Sequence, residues 1–138
     1  MADRSASFRT EQDAVLNVLD RFVEGLRSRD GKIWRELFIE KAASFVYRRD
    51  AEGHWVPNFR KNEDWLPILA VEERSLDQVF GQPIVYIRGP IAMIWAPYEL
   101  SRDGQLAHGG IDCFLLIKDG GQWKIFSIVS TQEPMAAK

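Results

Sequence analysis

The stretch IAMIWAPYEL, residues 91 to 100, is apolar on both sides. A β-strand sends alternate side chains to opposite faces of its sheet. Ala92, Ile94, Ala96, Tyr98 and Leu100 therefore share one face, and Met93, Trp95, Pro97 and Glu99 the other. The same two-sided pattern recurs over 111–117 and 123–129. A sheet built from such strands cannot leave either face in water without exposing Trp, Phe and Ile together. Both faces need a cover, and the rest of the chain has to supply at least one.

The first half of the chain reads as that cover. Thr10, three residues before Asp13, is a helix N-cap, and Ala14, Val15, Val18, Leu19, Phe22, Val23 and Leu26 recur on one helical face. Asp30 starts a second, shorter helix with Ile33, Trp34, Leu37 and Phe38 on its apolar side. ASFVYRRD (43–50) predicts a strand, DAEG (50–53) a turn, and HWV a short returning strand. Asp64 is expected to cap a third helix, WLPILAVEER, with Pro67 at its third position, where a missing N–H loses no intrahelical acceptor. From Leu76 the pattern is strands: LDQVF, PIVYIR, IAMIWAPYEL, Gln105 to Lys118 and QWKIFSIVSTQ, separated by Gly89-Pro90, Arg102-Asp103-Gly104 and Asp119-Gly120-Gly121. An antiparallel meander preceded by helices makes an α+β fold with three helices on one sheet face. The other face is expected to meet a second copy of the chain in a homodimer. The alternative is that the helices and residues 54–75 cover both faces between them.

At 138 residues the chain is one domain spanning 1–138, with flexible ends expected at 1–9 and 134–138. Eighteen Lys and Arg against twenty Asp and Glu, a net charge of −2, give no electrostatic reason for a nucleic-acid or anionic-membrane partner. Cys113 is the single cysteine, so a disulfide within the chain is impossible and a reducing cytoplasm is the expected compartment. No signal-peptide core and no run approaching ~18 apolar residues occurs, so a soluble, unprocessed protein is expected. His54 and His108, without His or Cys at ligand spacing, make no metal site, and no phosphate-cradling glycine loop stands between a strand and a helix. Neither metal nor cofactor is expected.

The runs 91–101 and 105–118 exceed the usual strand of about five or six residues, and long antiparallel strands must coil or bend to stay packed. HGGID, residues 108–112, places adjacent glycines inside such a run, which marks a bend or bulge. Bending the sheet around the helices opens a concave cavity. Asp112 is the most informative residue on that face, since burial would raise its pKa and make it an acid/base or a neutral donor. The bland alternative leaves it in water at a strand end, or satisfied by backbone or an arginine. His108 shares its face if the strand is regular and faces away if Gly109-Gly110 is a bulge; four residues of strand, roughly 13 Å, keep the two from touching. Trp34, Trp65, Tyr98 and Tyr47 offer aromatic walls for a hydrophobic, planar or cyclic ligand. An apo cavity of roughly 300 Å³ or more reaching Asp112 favours such binding, and a filled core favours an accessory role.

RFVEGLRSRDGKIWRELF followed by ASFV, with the terminal GIDCFLLIKDGGQWKIFSIVSTQEP, resembles the NTF2-like superfamily, which includes ketosteroid isomerases and SnoaL-like polyketide cyclases. The resemblance implies a cone-shaped α+β fold, a pocket between helices and concave sheet, and dimerisation through the sheet; the superfamily shares no single chemistry. Against the isomerases, Asp112 falls where the hydrogen-bonding aspartate would be, Phe22 where the oxyanion-hole tyrosine would be and Tyr47 where the base would be. Steroid isomerisation is therefore not expected. What is expected is a small-molecule-binding protein, as an enzyme a cofactor-free isomerase, cyclase or dehydratase with Asp112 as acid/base. The rival is a non-catalytic accessory module that uses the fold as a dimerisation platform.

Overall fold

The structure, a computed structural model, describes residues 9–134; the ends expected to be flexible lie outside the described residues except for Arg9 and Pro134. Among the described residues three helices, α1 (Glu11–Ser28), α2 (Gly31–Leu37) and α3 (Asn62–Val71), pack on one face of a seven-stranded sheet. Its strands are β1 (Phe38–Arg49), β2 (Trp55–Lys61), β3 (Leu76–Phe80), β4 (Ile84–Arg88), β5 (Ile91–Arg102), β6 (Gln105–Asp119) and β7 (Gln122–Pro134).

The helical face of α1 forms as its spacing predicts. The Thr10 hydroxyl accepts from the Asp13 N–H, and Ala14, Val15, Val18, Leu19, Phe22 and Leu26 are buried, while Val23 at the edge of the face is half-buried. The chain reverses at Arg29, which adopts the left-handed conformation at φ 55°, and Asp30 caps α2 by accepting from the Lys32 N–H. Trp34 and Phe38 then stack at 4.8 Å, and Phe22 packs edge-on to Phe114 of β6 at 5.3 Å. This joins helices to sheet in one core.

Three expectations are corrected. Phe38 belongs to β1 and not to α2, because the strand begins directly after Leu37 and runs twelve residues. Helix α3 starts before Asp64: the Asp64 carboxylate accepts from the Lys61 N–H at 2.9 Å, so it acts from inside the first turn. Pro67 is consequently interior, and Glu63, whose carbonyl loses its i+4 donor, is exposed to water. The sheet is mostly antiparallel, as expected, but the strands from Leu76 do not pair in simple succession, because β3 and β4 both pair with β5. Its order is β2-β1-β7-β6-β5-β3, with β1 parallel to β7 and β4 beside β5. Strands β3 and β4 pair with the two ends of β5, Tyr98–Arg102 and Ile91–Trp95, as one edge broken at Gly81.

Bending comes from several irregularities. Register shifts fall between Leu100 and Ser101 against β6, and between Leu115 and Leu116 against β7. Pairing of β6 with β5 is regular from His108 to Ile117, so Gly109-Gly110 is not a bulge against that neighbour. Gly110 instead takes φ +151°, a conformation L side chains rarely adopt, and any Cβ there would overlap the hydroxyl and carbonyl oxygens of Thr131. The glycine permits β6 and β7 to approach at the bend.

The outer face remains uncovered. One cross-strand row runs Phe59, Phe45, Val129, Cys113, Trp95, Ile84 over six strands in direct register. Its large members are 37% to 50% exposed. Residues 54–75, the alternative cover, lie at the far edge as β2 and on the helical side as α3, so they leave this row in water.

Candidate functional site

A cavity of about 210 Å³ lies between the helices and the concave face. It is smaller than the roughly 300 Å³ expected of a drug-sized site, yet it is not filled by side chains. Four polar or charged residues are buried among those described: Ser44, Gln78, Asp112 and Ser130. All four line this cavity.

Asp112 sits at its floor, 4% exposed, opposite Ala96 on β5 and Ser130 on β7. The Ser130 hydroxyl donates to Oδ1 at 2.5 Å, and the Gln78 side-chain amide donates to Oδ2 at 2.6 Å. Gln78 comes from β3 and reaches across β5 to Asp112 on β6. Burial pushes the Asp112 carboxyl up to about 6, against the two hydrogen bonds, which favour the anion. Each carboxylate oxygen has accepted one hydrogen bond and keeps a second lone pair. The group can therefore take or give a proton near neutral pH.

His108 and Asp112 both line the cavity, so they share a face, as a regular strand requires. They do not meet. The Tyr98 hydroxyl donates to the Thr131 carbonyl at 2.7 Å and lies 3.2 Å from His108 Nδ1. A phenol has one proton. With it committed to Thr131, the imidazole must donate through Nδ1–H, which leaves Nε2 as the basic nitrogen. Tyr98 is paired with Gly110, and its ring crosses that glycine to reach the next strand. Burial, with Asp112 and Glu133 nearby, raises the Tyr98 pKa, so the phenol stays protonated. Burial and the charges of Arg102 and Arg48 lower His108 to about 4, which keeps it neutral at physiological pH.

Trp34 and Trp65 line the cavity, and the Trp65 indole N–H donates to the Ser44 hydroxyl at 2.9 Å. Tyr47 does not. On β1 it is Ser44, Val46 and Arg48 that line the cavity, so the alternation of the strand turns Phe45 and Tyr47 to the outer side. His54 is remote, in the β1–β2 turn beside Asp50 and Glu52. Gln78 and Ser130 were not singled out in the sequence, although each interrupts an apolar alternation, Leu76-Gln78-Phe80 and Ile128-Ser130, as Asp112 does. That shared interruption was the available signal.

No family model and no curated protein matches the sequence. Solved structures do match its fold. A protein of unknown function with a cystatin-like fold from Nostoc punctiforme PCC 73102 superposes with a TM-score of 0.71 at 14% identity, covering 91% of this chain and 94% of that one. An NTF2-like protein from Cytophaga hutchinsonii ATCC 33406 gives 0.72 at 13% identity, over 89% and 98%. The beta subunit of a protein described as an aromatic-ring-hydroxylating dioxygenase, from Novosphingobium aromaticivorans DSM 12444, gives 0.73 at 15% identity, over 92% of each. The chain has the NTF2-like α+β fold, and at these identities the likeness carries the fold alone.

Proposed function

We propose that this NTF2-like chain binds a small, mainly apolar organic molecule and uses Asp112 for cofactor-free proton transfer of the isomerase, cyclase or dehydratase kind. The observation that carries the reading is the convergence of all four buried polar residues on one cavity. A core needs no such group; a buried carboxyl costs free energy that apolar packing would avoid. Here Gln78 and Ser130 hold both its oxygens while its face stays open to a ligand. Phe22 and the outward Tyr47 supply neither the tyrosine nor the base of a steroid isomerase, so that substrate class is not proposed. At ~30 Å³ per water the cavity equals about seven waters, which suits a ligand of one ring. Native mass spectrometry of the purified protein is expected to show a bound mass of a few hundred daltons or less. Unliganded protein alone, together with no thermal shift from a library of small aromatic compounds, would sink the reading.

The second reading is an accessory module, and the beta subunit among the structural neighbours favours it to that extent. The uncovered apolar row also bears on assembly. A second copy packed through the outer sheet face would bury Phe45, Trp95, Val129 and their neighbours together, a central apolar patch of the kind that holds obligate dimers. Among the described residues no helix is long and apolar enough to cross a membrane, and a chain with Cys113 as its lone thiol suits the cytoplasm. Sedimentation at micromolar concentration is expected to return twice the 15.9 kDa chain mass, and Trp95→Glu to shift it toward monomer. A wild-type mass near that of one chain would end the dimer proposal.

A further inference from the structure

We infer that the ligand of the cavity is a small organic carboxylate, with its anionic group held between Arg48 and Arg102 and its apolar body directed toward Asp112. This rests on the ligand-binding reading and names its substrate class. Arg48 and Arg102 are the two arginines that line the cavity. Neither forms an ion pair among the described residues, whereas Arg21, Arg27 and Arg74 are each matched with carboxylates. The one acidic group near them at the rim, Glu72, is already engaged: Arg74 Nε donates to it at 2.8 Å and Nη2 at 3.2 Å. The Arg74 hydrogen bonds are the main cause, with a smaller contribution from the Arg102 charge, of a Glu72 carboxyl held down to about 2, and no Glu72–Arg102 ion pair forms.

Both guanidiniums border the cavity on the side of His108. Gln132 accepts from Arg48 Nε at 2.9 Å, which fixes that side chain, while Arg102 Nε is buried with no hydrogen-bond partner. Both lie near enough to His108 to weaken its hold on a proton. His108 is neutral there, so the rim carries two cations against one carboxylate, Glu72, whose hydrogen bonds go to Arg74. A buried guanidinium N–H without an acceptor, as at Arg102 Nε, is costly, and a planar carboxylate is the group whose geometry parallel guanidinium donors match. The cavity walls also include the apolar Phe22, Leu26, Trp34 and Ile128. Four residues of strand, about 13 Å, separate His108 from Asp112, so a ligand carboxylate at the rim need not crowd the floor carboxylate.

The test uses the full-length protein and isothermal titration calorimetry with the ω-phenylalkanoates from phenylacetate to 5-phenylvalerate, each beside its neutral amide. At least one acid is expected to bind ten times more tightly than its amide. Arg48→Gln and Arg102→Gln are each expected to weaken the acid about tenfold and the amide much less, so that the preference for acid over amide falls. Arg48 is exposed, so its variant stays informative if the Arg102 variant misfolds. Equal binding of acid and amide, or arginine variants that bind the acid normally, would overturn the carboxylate inference and leave the cavity a ligand site. Preference for 3-phenylpropyl phosphate over every acid would overturn it in favour of phosphate esters. Failure of every acid and amide to bind would overturn both the inference and the reading beneath it.

Discussion

Asp112→Asn is expected to remove a pH-dependent component of stability and, with any substrate found, to abolish turnover. In the folded protein Asp112 titrates near 6, above the unfolded value of 3.8, because burial disfavours its charge. The folded state therefore holds the proton more tightly than the unfolded chain. The resulting stabilisation is fully present below about pH 4 and is lost as pH rises through about 6. A carboxyl raised from 3.8 to about 6 on folding corresponds to about 3 kcal/mol. Thermal unfolding of parent and variant at matched pH between 4 and 7.5 isolates this part, since other carboxyls are common to both. The melting temperature of the parent relative to the variant should fall by roughly 10 °C from the acid to the neutral end. Parallel profiles would mean that Asp112 titrates normally. Unchanged turnover would remove it from the chemistry even if the stability difference appears.

Gly110→Ala should be among the most damaging small substitutions in the chain. The backbone at φ +151° is one that alanine adopts only under strain, and its methyl would be driven into the Thr131 oxygens. Strain and overlap together should cost about 3 kcal/mol or more, since neither oxygen can retreat without breaking another contact. The Thr131 carbonyl accepts from Tyr98, and its hydroxyl accepts from the Ile111 N–H at 3.0 Å. A shift there would loosen Tyr98 and through it His108, so ligand affinity should fall with stability. Gly53→Asn is the control: its φ is +86°, nothing lies within 4 Å, and asparagine tolerates such conformations. Denaturant midpoints for the two variants should differ widely; similar midpoints would show that Gly110 is not constrained by Thr131.

Much of the fold was legible because its signals are local. Thr10 and Asp30 cap the helices they announce, and the apolar spacing of α1 names its buried residues. The glycine-bearing turns bound β5, β6 and β7 within one or two residues. The misreadings share a cause. The start of α3 depended on whether Asp64 caps from outside the helix or from its third position, and the same residue types suit both. Tyr47 depended on the phase of β1, which its pairing with β7 sets from about 80 residues away.

The candidate site divides along the same line. Sequence alone determined that a carboxylate stands on an apolar strand face, that both sheet faces are apolar, and that a glycine pair interrupts the longest run. Alternation and composition are enough for that, since each concerns one segment. Only the tertiary structure decided that Gln78 and Ser130 meet Asp112, that Arg48 and Arg102 border one cavity with no ion pair among the described residues, and that Gly110 is a point of close approach and not a bulge against β5. Those residues come from five different strands. Which of them come within a hydrogen bond of each other is set by strand order and register, which no single segment encodes.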